Sequence, residues 1–262
     1  MTPMLTPEEE KVVEEAWGSK ETSKILYSFG KWKIDIGTTQ SLQYGMWLGS
    51  EVVDLYALLL KERELNYHCH YKCCHFFPYH FLIYLTQNHL RFKNWLDANP
   101  KAKNCPIHLK LDQAKVNSSM EEWIDPESFG YRISECENLI FPINKNSHWA
   151  LGVLNVQDGK LMLLDSIYSD TLDRYKPEID AISNFLPLLM TSYGMSLKVK
   201  TKIHLQNAPK QTGGNDCGIF LLKYMDCVAR GIPITFSSAE EDINLYRRKI
   251  AYEVLERRAF HI

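Results

Sequence analysis

Gln211-Thr-Gly-Gly-Asn-Asp-Cys217-Gly218-Ile-Phe-Leu-Leu-Lys-Tyr-Met225 is the stretch on which the reading of this chain turns. Gly213 and Gly214 let the backbone turn tightly, and an apolar stripe at Phe220, Leu221, Tyr224, Met225 and Val228 predicts a helix starting directly afterwards. That junction puts Cys217 at a helix N-terminus. Unpaired N–H groups and the positive end of the helix dipole favour thiolate there, the reactive form of cysteine. Cys227, ten residues on, has no such setting and reads as a small buried hydrophobe.

A nucleophilic thiol needs a base, and the base needs a third group to fix its tautomer and orientation. Upstream, Leu139–Ile143 reads as a strand, Asn144–Ser147 as a polar break and His148–Leu154 as a second strand. Asp158-Gly159 is a turn signal, and the strand Leu161–Leu164 after it ends in Asp165-Ser166. His148 and Asp165 therefore share one end of a hairpin. A two-residue turn would set Asp165 opposite Gly152, leaving His148 four residues, about 13 Å, further along. Contact between them requires a longer turn, a bulge or strong twist.

His148-Trp149, a strand, a turn, a strand, Asp165-Ser166 and then Gln211-x-x-Gly-x-Asp-Cys217-Gly218 together resemble the ubiquitin-like-protein-specific cysteine proteases, the SUMO-protease family. The resemblance is dense from about residue 138 to 231 and extends to Trp47-Leu-Gly-Ser-Glu51, which is similar to the family's Trp-Leu-Asn-Asp-Glu. It implies an α+β, papain-like thiol-protease fold with a central mixed sheet flanked by helices. It implies Cys217 as nucleophile, His148 as base, Asp165 as the group that orients it, and the Gln211 amide as an oxyanion donor beside the Cys217 N–H. Trp47 and Trp149 would wall a tunnel for the two C-terminal glycines of a ubiquitin-like modifier. No cofactor and no metal are required.

Gly49 and Ser50 stand where the family has Asn-Asp, whose acid contacts the modifier in SUMO-cleaving members. SUMO is the first expectation for the modifier, with ubiquitin or a Nedd-type protein as alternatives. Two other classes compete. Cysteine-dependent acetyltransferases share the His, acid, Cys order, but the two tryptophans favour the protease. A modifier-binding module without activity is the third reading, and four chemically competent residues favour catalysis over it.

The rest of the chain bounds this reading. Its 262 residues are 45% hydrophobic and 24% charged, with a formal net charge of -2, which offers no basic field for nucleic acid. No apolar run reaches membrane-spanning length and the N-terminus lacks the features of a secretory signal, so an intracellular protein with seven free cysteines is expected. The cluster His68-Cys-His-Tyr-Lys-Cys-Cys-His75 invites a metal reading. It lacks a second ligand pair at finger-like spacing and runs into Phe76, Phe77, Tyr79 and Phe81, so it is read as the lead-in to a buried helix ending near Ala98.

Residues 1–40 are expected to form an N-terminal extension, with a capping box at Thr6 and Glu9, Pro7 at the first helical position, and an edge strand over Lys31–Ile36. Residues 41–262 are expected to form the catalytic domain. Within it, Ser50 should cap a helix burying Val52, Val53, Tyr56, Leu59 and Leu60. An irregular insert at about 99–135, including Trp123–Pro126 and Phe129-Gly130, lies within sequence reach of the substrate groove. A helix from Tyr175 to Met190 should be kinked or shortened by Pro187, and Leu197–Leu205 alternates like a half-exposed strand. Gly231 should stop the cysteine helix, and Ser237-Ser-Ala-Glu240 should start a last one burying Ile243, Tyr246, Ile250 and Val254.

Overall fold

The computed structural model describes residues 4–29, 32–114, 122–124, 129–205 and 207–260. Five strands form a mixed sheet in the order β3-β4-β5-β6-β7: Cys74–Phe76, Asn138–Lys145, His148–Asn155, Lys160–Asp165 and Thr201–His204. The central hairpins are antiparallel, and the two edge strands lie parallel to their neighbours. A separate ribbon pairs β1 (Ile25–Phe29) with β2 (Trp32–Asp35).

Both faces of the sheet are covered, which is why β4 and β5 read as nearly continuous apolar runs. Alternation still decides direction. Ile140, Leu151, Val153 and Leu164 face one core, shared with helix α3 (Ser50–Asn66), the cysteine helix Cys217–Arg230 and the C-terminal helix Glu240–Leu255. Leu139, Phe141, Ala150, Leu154, Leu161 and Leu163 face the other, with helix α4 (Tyr79–Ala98) and the segment after β6. The predicted helical faces at 52–60, 220–228 and 243–254 are all buried.

Local chemistry sets the boundaries. Helix α1 (Pro7–Gly18) carries the reciprocal capping box, with the Glu9 N–H donating to Thr6 Oγ1 and the Thr6 N–H to Glu9 Oε2. Gly231 ends the cysteine helix at φ 65°, a left-handed cap that glycine adopts without strain.

Several expectations are corrected. Gly49, not Ser50, caps α3, and Ala239 caps the last helix, neither with a side-chain bond. Residues 74–76 form an edge strand before α4 begins at Tyr79, because Pro78 has no N–H to give and starts the helix instead. The insert holds a 3-10 turn at Pro100–Asn104 and helix α5 (Ile107–Gln113), whose Leu111 joins the second core, as do Ile124 and Ile133. Residues 115–121, Asp125, Pro126 and Lys31 lie outside the described residues. The predicted helix 175–190 is broken into Lys176–Asp180, a π-helical turn Ala181–Phe185 and Leu186–Ser192, and the wide turn accommodates the ring of Pro187. The strand after it is short, Thr201–His204. Among the described residues no helix is long and apolar enough to cross a membrane.

The cysteine helix meets the loop before α3 at close range. A Cβ on Gly218 would lie 2.5 Å from Leu48 Cβ, so only glycine fits here. Leu48 cannot retreat freely, because its carbonyl accepts from Trp149 Nε1 at 3.1 Å. Gly218→Ala is therefore expected to lower the free energy of unfolding by about 1–3 kcal/mol in urea denaturation. An unchanged midpoint would mean that the Leu48 loop can move aside.

Candidate active site

The hairpin register brings His148 and Asp165 together. Asn155 pairs with Lys160, so the turn spans four residues, 156–159, where two were expected. Asn155 Oδ1 accepts from the Asp158 N–H at 2.9 Å, and Gly159 at φ 66° closes the turn. Asp165 therefore lies opposite Ala150, two residues from His148 on the same row, and half of the expected gap disappears. A second tight turn, Asn146-Ser147, with both residues at positive φ (52° and 62°), joins β4 to β5 and starts the strand at His148.

His148 Nε2 lies 2.8 Å from Asp165 Oδ1. That carboxylate is fully buried and saturated: Oδ1 also accepts from the backbone N–H groups of Ile167 (2.7 Å) and Tyr168 (2.9 Å), and Oδ2 from the Tyr175 hydroxyl (2.7 Å). Burial alone would raise the Asp165 pKa, but the bonds from His148, the two N–H groups and Tyr175 outweigh it and hold the carboxyl below its usual range. Burial pulls His148 the other way. Its hydrogen bonds to Asp165 and to the Cys217 thiol overcome that loss and push the imidazole up to about 9. With Nε2 committed to Asp165, the nitrogen left for the sulfur is Nδ1.

Cys217 is the first residue of its helix, follows Asp216 and is buried. The glycine pair before it works differently from the expectation. Neither Gly213 nor Gly214 has positive φ; Gly213 instead leaves room for the Asp216 carboxylate, which a Cβ would meet at 2.5 Å. Cys227 is buried, and burial raises its thiol pKa to about 11, as befits an unreactive cysteine.

Gln211 sits beside Ser166, whose hydroxyl donates to Gln211 Oε1 at 2.6 Å while Nε2 donates to the Gly213 carbonyl at 2.6 Å. The amide is thus oriented at both ends, with one of its two N–H groups engaged by these bonds. Trp149 is buried and Trp47 is half exposed. With Leu48, Asn144 and Ser147 they line one groove of about 370 Å³.

Three contributors to this site have no motif to announce them, and a fourth, Ser166, stands in the motif without its role being announced. Tyr175 bonds Asp165, Ser166 bonds Gln211, and Lys210 donates to the carbonyls of Asp165 (2.6 Å) and Tyr168 (3.1 Å). Arg247, on the C-terminal helix, bonds the loops preceding Trp47 and Cys217. Tyrosine at 175 and arginine at 247 lay within predicted helices, where nothing in the spacing marks them.

The 68–75 cluster is dispersed. His68, Cys69 and His70 are exposed, whereas Cys74 and His75 are buried on β3, with His75 Nδ1 2.8 Å from the Tyr131 hydroxyl. Among the described residues no group of three or more His, Cys, Asp or Glu side chains is placed to hold a metal ion.

A helix-borne cysteine meeting a histidine and a buried aspartate at the end of a sheet defines an α+β domain of the papain-like cysteine-peptidase class. The chain belongs to the Ulp1 protease family: the model of that family's C-terminal catalytic domain matches residues 46–259. The putative ubiquitin-like-specific protease 1B of Arabidopsis thaliana is 29% identical over 264 residues, covering 97% of this chain and 68% of that protein. Ubiquitin-like-specific protease 1A of the same plant is 29% identical, and human sentrin-specific protease 2 is 28% identical; the chain spans 46% and 37% of their lengths. The fold matches the C-terminal Ulp1 protease domain solved in complex with Smt3, the yeast ortholog of SUMO. The TM-score is 0.73, at 17% identity, over 98% of both chains.

The His148 shift has a testable sign. Because its folded pKa of about 9 exceeds the unfolded value near 6.5, the stability it contributes is complete below about pH 6.5 and is lost as pH rises to about 9. Imidazole NMR should give a midpoint near 9 that falls in Asp165→Asn. A midpoint at or below 6.5 in the unmodified protein would contradict the described hydrogen bonding.

Proposed function

We propose that this domain is a thiol protease that cleaves after the C-terminal Gly-Gly of a ubiquitin-like modifier, SUMO before others, releasing it from a lysine or from a precursor tail. The observation that carries the reading is the meeting of Cys217, His148 and Asp165 next to a groove walled by Trp47 and Trp149. Membership of the Ulp1 family and the names of the curated relatives support it.

His148, made a stronger base than a free imidazole by its hydrogen bond to Asp165, takes the proton from Cys217 and leaves the sulfur as thiolate for attack. The thiolate adds to the carbonyl carbon of the terminal glycine. Negative charge moves to the carbonyl oxygen, which accepts from the Cys217 backbone N–H and from the other Gln211 amide N–H. Collapse of the tetrahedral intermediate breaks the C–N bond, and imidazolium donates its proton to the departing amine. Neutral His148 then takes a proton from water, whose oxygen attacks the thioester and frees the carboxylate and Cys217. Asp165 stays ionised throughout and holds the ring, as its four donors dictate. The family resemblance implies that the two indole rings select glycine at this point, since a larger side chain would meet them.

Cys217→Ala is expected to abolish turnover. Gln211→Ala should lower kcat by about 10²–10³, the usual consequence of losing one oxyanion donor. A panel of modifiers with reactive C-termini (SUMO, a Nedd-type protein and ubiquitin) should label the unmodified protein at Cys217 with SUMO foremost. Foremost labelling by another modifier would replace SUMO in the proposal, and no labelling by any of them would remove the protease reading.

A further inference from the structure

We propose that Arg247 is a positioning residue of this site, holding the nucleophile and one wall of the groove in a fixed mutual register; the inference rests on the proteolytic reading above. Arg247 lies in the C-terminal helix Glu240–Leu255, and its side chain is 1% exposed. Among the described residues, its hydrogen-bond partners belong to two loops. Toward the groove, Nη1 donates to the carbonyls of Gln43 (3.0 Å) and Leu42 (3.4 Å), and Nη2 to that of Met46 (3.2 Å). Toward the cysteine, Nη2 donates to the Asn215 carbonyl (3.0 Å), and Nη2 and Nε reach Asp216 Oδ1 at 2.8 and 3.3 Å.

The first loop ends one residue before Trp47, and the second ends one residue before Cys217. Neither loop is helix or strand over these positions; Leu42 and Leu48 are buried in the core, but Tyr44, Met46 and Trp47 between them are exposed, so apolar burial does little to hold that stretch. What fixes its path is polar: the carbonyls at 42, 43 and 46 converge on one guanidinium, and Asn215 Nδ2 adds a bond to the Gly45 carbonyl. A rotation of Asn215 and Asp216 carries the Cys217 N–H and sulfur with it, and a shift at Met46 carries the Trp47 ring. Displacement of reacting groups by about 1 Å can cost about 10²-fold in rate. Arg247 touches no substrate; it acts through the two segments it joins.

The chemistry demands arginine. A planar fork of five N–H groups can serve carbonyls and a carboxylate lying in different directions, whereas lysine offers a compact ammonium with three donors at a single point. Lysine would keep the charge opposite Asp216 and leave carbonyls unpaired, so Arg247→Lys separates electrostatic compensation from positioning.

The test measures the unmodified protein, Arg247→Lys, Arg247→Met and Asp216→Asn for thermal unfolding, for steady-state cleavage of a SUMO fusion, and for the pH profile of Cys217 alkylation by iodoacetamide, which needs no modifier. For Arg247→Lys the expectation is a folded protein with kcat/KM lowered at least tenfold, seen in both kcat and KM, and an alkylation profile displaced from that of the unmodified protein. Asp216→Asn, which keeps an acceptor, should displace the profile in the same direction by less. If Arg247→Met fails to fold, the lysine and asparagine variants carry the test alone. Folded variants with unchanged alkylation profiles and unchanged kcat/KM would overturn the proposal. Should the unmodified protein cleave no modifier while the variants still displace the alkylation profile, the proteolytic reading falls and the positioning of Cys217 by Arg247 stands.

Discussion

The site is built around a carboxylate that must stay charged without touching water. Asp165 has no exposed surface, and an ion in that position is tolerated only because donors from three directions replace its hydration. Each donor comes from a different part of the fold: His148 from the neighbouring strand, Ile167 and Tyr168 from the turn leaving β6, and Tyr175 from the segment after it. The requirement runs both ways. The donors keep Asp165 ionised, and the ionised Asp165 fixes where β5 begins, how the chain turns after residue 165 and where Tyr175 packs. Lys210 extends the arrangement by binding the carbonyls of Asp165 and Tyr168, and Arg174 stacks its guanidinium 3.5 Å from the centre of the Tyr168 ring, whose edge meets His148. Burial opposes the raised imidazole pKa, which follows from the hydrogen bonds of His148 to the ionised Asp165 and to Cys217.

A second constraint brings the sulfur to that pair. The cysteine helix is buried almost all round, so its position is set by packing against the sheet and α3. At its first turn the missing side chain of Gly218 admits Leu48, and Trp149 Nε1 holds Leu48 by its carbonyl. Trp149 thereby performs two tasks with one ring: its edge anchors the loop that carries Trp47, and its body lines the groove. The groove and the cysteine are consequently parts of one packing arrangement.

Legibility in the sequence followed the physics of each feature. The central strands β4, β5 and β6, the cysteine helix and the buried faces of α3 and the last helix were readable, because apolar periodicity reports burial directly, whereas the edge strand β3 was read as the lead-in to a helix. The cysteine at a helix start was readable because glycines and an abrupt apolar stripe mark the junction. The His–Asp contact was legible only as a requirement. The Asp158-Gly159 signal suggests a two-residue turn, whereas Asn155 caps a four-residue one, and register depends on that difference of two. Caps at Ser50 and Ser237 were misplaced because a serine near a helix start need not point at it, and Pro187 signalled a break without saying that a π-helical turn would absorb it. The contacts of Tyr175, Ser166 and Arg247 were invisible, since they act across 10, 45 and about 200 residues of sequence and follow no period.

The departure at Gly49-Ser50 bears on how cleavage and modifier choice are divided. A Cβ at position 49 would stand 2.9 Å from Glu51 Oε2, and Ser50 Oγ lies 3.4 Å from the same oxygen, so the Glu51 carboxylate folds back over the first turn of α3. Negative charge is favoured there by the helix dipole. The acid that the family pattern places at position 50 is missing, and the glutamate at 51, which the pattern shares, is the one carboxylate left in the stretch Trp47–Glu51. None of the groups that hold Asp165, His148 and Cys217 passes through this turn. On the proposed reading, the tryptophan-walled groove and the buried carboxylate serve the reaction, while the charge at the start of α3 is free to vary and to select which modifier is presented to it.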